Sequence, residues 1–255
     1  MFNPLGPPVE ALTKTKTLSH SAHRSSKSAT QPTEVVSPAA RAAVSLEYAS
    51  LKSRLHCPLG LYVVPSTETL MIWDAVLFVH QGYYADSILK FRVTFPPNYP
   101  ERPPTVQFVN EVFHPLISLS GIFSLAPQIR SWKPNQHHVF DVLHFVKAAF
   151  KRDVLDKIEE SDCLNKEAYR YIVCFYSYDS FIVNVPVSMS PSRYHESTTS
   201  FAALATQSAS LSNSSTALYE GDHSKTRHGM HFTKLKSKTL KEERERLGLK
   251  EWQLN

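Results

Sequence analysis

Cys57, Cys163 and Cys174 are the thiols of this 255-residue chain. A cysteine can attack a carbonyl near neutral pH because its thiolate is within reach there. The three stand far apart and form no CxxC pair, which argues against a disulfide framework and against a cysteine-rich zinc site. Each could be a nucleophile, but isolated thiols of this kind read more simply as packing residues. His137 and His138 adjoin, with His144 further along the same predicted helix. A metal could use such histidines. However, His138 and His144 are six apart and do not share a helical face, and no carboxylate or thiolate at ligand spacing completes a set. They read as helix-start residues, and no metal or other cofactor is expected. Lys234, Lys236, Lys238, Lys241, Arg244 and Arg246 could meet acidic lipid, nucleic acid or a protein. Glu242, Glu243 and Glu245 interrupt that run, so it reads as a solvated helical face.

The elements that would position these groups lie in the middle of the chain. Residues 39–56 carry Val44, Leu51 and Leu55 at helical spacing, and Leu59-Gly60 breaks the pattern. Leu61 to Val64 and Thr69 to Val79 read as strands, with a turn at Gln81-Gly82. Leu89, Phe91, Val93 and Phe95 alternate with Lys90, Arg92 and Thr94, the period of a strand with one buried face. Thr105 to Val109 is a fourth strand. Residues 111–134 show little regular pattern, and a loop that long inside a compact domain is usually functional or inherited from a functional site. Val139, Leu143, Val146 and Phe150 then mark a helix, and Asn165 to Phe181 another, closed by Pro186. Strands in a run with helices at either end predict an α+β layer fold: an N-terminal helix, a four-stranded antiparallel meander, a long loop and C-terminal helices.

On either side the composition changes. Residues 1–37 are rich in Ser, Thr, Pro and Ala and are expected to be a disordered arm. Residues 187–255 are expected to be a mostly disordered basic tail. A short helix is expected at 239–249, with Thr239 to cap it and Gly248 to end it. The domain proper would be 38–186. The formal net charge is +5, and residues 38–186 carry as many acidic as basic side chains, 14 of each, so the excess belongs to the tails. A folded nucleic-acid-binding face would place it on the domain, and no nucleic acid is expected as a partner. No run of apolar residues is long enough to cross a bilayer. No secretory, myristoyl or prenyl signal is visible, so the chain is expected in the cytoplasm.

One stretch carries more specific information. Phe95-Pro96-Pro97-Asn98-Tyr99-Pro100-Glu101-Arg102-Pro103-Pro104 joins the third and fourth strands, and its prolines force a stiff extended crossing. The pattern FP-x-x-YP-x-x-PP between two strands resembles the ubiquitin-conjugating enzyme (E2) family. His114-Pro115-Leu116 is similar to the His-Pro-Asn tripeptide that opens that family's active-site loop. There the catalytic cysteine stands three residues after a glycine; here Ser124 stands three after Gly121. Trp132 follows eight residues later and Pro134 soon after, as in the family. The likeness spans roughly residues 39–183 and includes the Leu164-Asn165-x-Glu167-Ala168 opening of the late helix.

The resemblance implies a UBC-like fold whose chemistry is gone. Ser124 would replace the nucleophile, and a hydroxyl needs a neighbouring base to attack. His114, the nearest histidine in sequence, would be a structural turn residue. Leu116 would replace the asparagine that steadies the oxyanion, and losing one such donor costs on the order of 10²-fold in rate. Ser124 could form an oxyester, but a vestigial loop residue is the simpler reading. Trp132 would pack the loop on the domain. Met71-Ile72-Trp73, Gly82-x-Tyr84-x-Asp86 and Val112-Phe113-His114-Pro115-Leu116 are further similar to the cysteine-less Fused Toes / crossbronx / AKT-interacting-protein group. That likeness implies an adaptor in vesicle and endosome traffic, peripherally associated with endosomal membranes, with Hook-type coiled-coil proteins as partners. The alternatives are a regulatory variant that binds ubiquitin or an active E2 non-covalently, a conjugating enzyme using serine or another cysteine, and nucleic-acid binding through the tails. No binding residues can be assigned from the sequence.

Overall fold

A computed structural model describes residues 36–179, 192–220 and 229–248. Helix α1 (Pro38–Ser50) starts where Pro38 sets the first turn and the Ser37 hydroxyl accepts the Ala40 N–H at 3.0 Å. Ser37 is thus the cap of the first helix. Ala40 and Val44 bury its inner face. The helix is shorter than 39–56. Its last turn tightens through Leu51 N–H to the Tyr48 carbonyl at 3.2 Å, and Leu55 lies on the following turn, 81% exposed.

Four strands follow in sequence order as an antiparallel meander: β1 (Leu61–Pro65), β2 (Ile72–Val79), β3 (Ser87–Thr94) and β4 (Thr105–Phe108). The register pairs Trp73 with Val93, Ala75 with Phe91 and Leu77 with Leu89. These six residues face the core, all 1% exposed or less. The helical half comprises α2 (Val139–Ala148), a short α3 (Arg152–Leu155) and α4 (Lys166–Asp179). Val139, Val142, Leu143, Phe145 and Val146 form the buried stripe of α2, and Phe150 follows it into the core. Asn165 caps α4 by accepting the Ala168 N–H at 3.0 Å. The expected closure at Pro186 lies outside the described residues.

The segment beyond α4 departs from the sequence reading. Residues 187–230 were expected to form no packed element, yet α5 (Ser192–Ser212) packs on α4 and β3, and a π-helical turn, Thr216–Glu220, follows. Phe201, Ala205, Ser208, Ala209 and Ser212 recur at helical spacing and are buried. Phe201 enters the core beside Tyr83 and Phe113, with ring centroids 5.4 and 6.0 Å away. The Ser212 hydroxyl accepts the Ile88 N–H at 3.1 Å, capping the part of the β3 edge that β4 leaves open.

Ala217, Gly229 and Phe232 then lie against the outer sheet face, where Asp74 pairs with Arg92 and Val76 with Lys90. Gly229 N–H donates to Asp74 Oδ2 at 2.6 Å, Lys90 Nζ donates to the Ala217 carbonyl at 3.2 Å, and Phe232 lies beneath the same ammonium. Asp74 is 0% and Val76 2% exposed as a result. The sequence hid α5 because it packs through alanine and serine, whose small side chains admit close approach without a strong apolar signal. A final helix, α6 (Ser237–Arg246), takes the place expected at 239–249. Its cap is Lys236 and not Thr239, and it buries no residue. None of the helices among the described residues is long and apolar enough to cross a membrane.

Candidate functional site

The segment 111–134 is less irregular than its sequence suggests. Gly121, with φ +83°, lies directly against Phe108, whose N–H donates to the Gly121 carbonyl at 2.7 Å. A β-carbon at this glycine would collide with the Phe108 carbonyl oxygen, so both the φ value and the space require glycine. Ile117 and Phe123 bridge each other, and Ser124 N–H donates to the Leu116 carbonyl at 2.8 Å. Residues 116–124 therefore form a tight loop pinned along the β4 edge, with Leu119 at its tip 98% exposed.

His114 opens this loop from inside the protein and is fully buried. Its Nδ1 accepts the Leu116 N–H at 3.0 Å, and its Nε2 lies 3.0 Å from the Ala149 carbonyl. These partners require the neutral Nε2–H tautomer, donating to Ala149. Burial drives its pKa down from 6.5 to about 4, against an opposing push from the Ala149 bond. Tyr84 and Phe150 surround the ring at centroid distances of 5.5 and 5.0 Å. Tyr84 itself donates to the Phe113 carbonyl at 2.6 Å. Leu116 is 0% exposed and part of the core. Its side chain has no donor, and its own N–H is held by His114. Leu164 N–H and Asn165 N–H both donate to the Pro115 carbonyl, at 3.0 and 2.9 Å, which ties the start of α4 to this turn.

Ser124 is half-buried at the end of the loop. Its Oγ accepts a long bond from Ala126 N–H at 3.4 Å. Both nitrogens of His114 are occupied elsewhere, so that imidazole cannot take a proton from the hydroxyl. The described thiols are no better placed. Cys163 is buried, donates to the Glu159 carbonyl, and is raised to about 12 by burial first and then by Asp162 and Glu160. Burial also raises Cys57, whose thiol bonds the Leu61 carbonyl at 3.4 Å. The side chain of Cys174 lies outside the described residues.

Trp132 packs on the proline-rich crossing. Its Nε1 donates to the Pro100 carbonyl at 2.7 Å, and its ring lies 6.2 Å from that of Tyr99. The Tyr99–Pro100 peptide bond is cis. Tyr99 in turn donates to Glu47 Oε1 at 2.9 Å, and the phenol is pushed upward by burial and by that carboxylate. Glu47 is a residue the sequence reading missed. It also accepts the Val139 N–H at 3.2 Å and pairs with His138 Nδ1 at 3.0 Å, so one carboxylate joins α1, the proline segment and the start of α2. The available signal was its position on the stripe between Val44 and Leu51. The three histidines of this region do not converge. His137 Nδ1 accepts the Lys133 N–H, His138 meets Glu47, and His144 reaches the Leu55 carbonyl. Among the described residues no group of three His, Cys, Asp or Glu could hold a metal ion.

A family model described as ubiquitin-conjugating enzyme matches residues 44–178. The chain belongs to the ubiquitin-conjugating enzyme family. Its relatives there include "Protein crossbronx-like" of Drosophila virilis, 37% identical over 94 residues, covering 36% of this chain and 37% of that one. "Protein AKTIP homolog" of Nematostella vectensis is 35% identical over 124 residues, covering 48% and 39%. "AKT-interacting protein" of Danio rerio is 36% identical over 111 residues, covering 43% and 36%. The chain thus spans a little over a third of the length of these relatives. Among solved structures, S. cerevisiae Ubc12 aligns with a TM-score of 0.43 and 24% identity, over 53% of this chain and 71% of that one.

Proposed function

We propose that this chain is an E2 fold without conjugating activity, serving as a binding module that joins protein partners in vesicle and endosome traffic. The observation that carries the reading is the occupation of the loop. A serine stands at 124 whose hydroxyl meets, among the described residues, only the Ala126 N–H, and at 116 a leucine sealed in the core presents nothing to a developing oxyanion. A thioester carrier needs a thiolate and a donor, and this loop offers neither. The turn around His114 persists because it is a folding element in its own right, bonded at both nitrogens. The crossbronx and AKT-interacting relatives support a role through protein contacts, and Hook-type coiled-coil proteins are the partner class we assign.

The catalytic half of this reading is tested by mixing the chain with ubiquitin-activating enzyme, ubiquitin and ATP. No adduct should form. A hydroxylamine-sensitive adduct that disappears in Ser124→Ala would refute the proposal. The adaptor half is tested by affinity purification of the full chain from cells. Recovery of a coiled-coil protein bears it out, whereas recovery of ubiquitin or an active E2 alone replaces it with non-covalent regulation.

A further inference from the structure

A hollow of about 560 Å³ lies between α2 and the turns that link α1 to β1. Its rim carries Leu55 and Leu59, which are 81% and 84% exposed. Their exposure is held from behind by the backbone. The Leu55 carbonyl accepts from His144 Nε2–H at 2.9 Å and the Leu59 carbonyl accepts from Lys147 Nζ at 2.6 Å. Arg54, Lys147 and Lys151 line the same hollow. Among the described residues none of these three cations forms an ion pair. The one carboxylate in the lining, Asp141, is committed to the His138 N–H at 2.9 Å.

The basic run at the C-terminus is organised the opposite way. In α6, Lys238 pairs with Glu242 and Arg246 with Glu243, at 3.9 and 2.6 Å. The region richest in Lys and Arg therefore neutralises much of its own charge, while a sparser set on the domain keeps its charge free beside exposed apolar side chains.

We propose that this rim docks on an anionic phospholipid bilayer. The hollow receives a headgroup phosphate between Arg54, Lys147 and Lys151, and Leu55 and Leu59 enter the acyl boundary. Fixed leucines flanked by unpaired cations combine the two terms that hold proteins at such surfaces, apolar burial and attraction to anionic lipid. The shape selects the partner. A peptide lying in the hollow would touch one flank of each leucine and leave most of both in water, whereas a broad apolar phase buries the two together. Because hydrogen bonds already hold the rim, docking orders little additional chain.

The test is co-sedimentation of the full chain with vesicles of phosphatidylcholine alone or with added phosphatidylserine, at about 0.1 M salt where exposed charges are screened beyond roughly 10 Å. Binding should require phosphatidylserine. Each cation removed should weaken it about fivefold, so Arg54→Glu with Lys151→Glu should weaken it at least 25-fold. Leu55→Ser with Leu59→Ser should weaken it at least tenfold without altering its salt dependence. All four residues are exposed, and an unchanged melting temperature shows the variants are folded. Lys147 is left in place because it tethers Leu59. Failure to sediment with anionic vesicles overturns the proposal. So does equal sedimentation of the variants and the parent. Capture of an acidic peptide by the parent, lost in the same variants while vesicles stay unbound, would also overturn it, in favour of an acidic protein partner.

Discussion

On the inner face of the sheet, Trp73, Ala75, Leu77, Leu89, Phe91 and Val93 are buried by the helices and by the loop that holds His114 and Leu116. On the outer face, Asp74, Val76 and Lys90 are buried by a segment more than a hundred residues downstream, the Gly229 contact spanning 155 positions. The inner face is closed by apolar bulk, the outer face by a backbone N–H, a carbonyl and one aromatic against an ammonium. Burial lowers the Lys90 pKa, the mark of a charge sealed from water on what a bare meander would leave wet. The lesson is that the boundary of this domain is set by contacts and not by composition.

The comparison breaks first at the outer cover. A chain ending at residue 191 lacks the burial of Phe201, Ala205, Ala209 and Leu218 and leaves Asp74 without its Gly229 donor. We expect a loss of about 5 kcal/mol or more, seen as a lost or sharply lowered cooperative melt. A melt equal to that of the full chain would make the cover a detachable strap. Phe201→Ala asks the same with one residue and should cost about 3 to 4 kcal/mol by denaturant unfolding. Leu240→Ala on α6, where nothing is buried, should leave the midpoint unchanged.

On the inner face, Leu116→Asn restores the side chain expected of an active family member, yet it places an amide at a wholly buried site. It should cost about 3 kcal/mol, and paired with Ser124→Cys it should still give little ubiquitin thioester. Efficient charging of the double variant would show that the loop is competent and lacks only its sulfur.

A pH dependence probes the same inner face. The folded pKa of His114, about 4, lies below its ordinary 6.5. Between these values the unfolded chain binds a proton that the folded chain refuses, so stability falls as pH drops through 6.5 and levels off below about 4. From pH 7 to pH 5 this amounts to about 2 kcal/mol. Comparing His114→Asn with the parent by urea unfolding should show a flatter profile in the variant, whatever its cost at pH 7. Parallel profiles would mean that the imidazole is not sealed as its bonds indicate.

The inner face was legible because alternation is a strong signal. Leu89 to Phe95 announces β3, and Val139 to Phe150 announces the α2 stripe. The His-Pro turn and the proline crossing were readable as motifs, and their frame led to Ser124 and Leu116. Glu47 was not legible, since a carboxylate on an apolar stripe reads as an interruption until Tyr99, Val139 and His138 are seen around it. Nor was the α5 cover, because Ala205, Ser208, Ala209 and Ser212 resemble the composition of an unstructured tail. Only Phe201 at the head of that series hints at burial. Leu55 misled in the other direction: its spacing from Leu51 fits a helix that has already ended.

The capped β3 edge and its late cover also govern how the molecule is born. Strands β1 to β4 leave the ribosome before residues 201–232 exist. At roughly 5–20 residues per second, the gap between Asp179 and Phe232 lasts on the order of 3 to 10 s. For that interval the nascent sheet presents the unsatisfied Ile88 amide and a bare Val76 to whatever is nearby. Newly made chains should therefore depend on chaperones until this cover is in place.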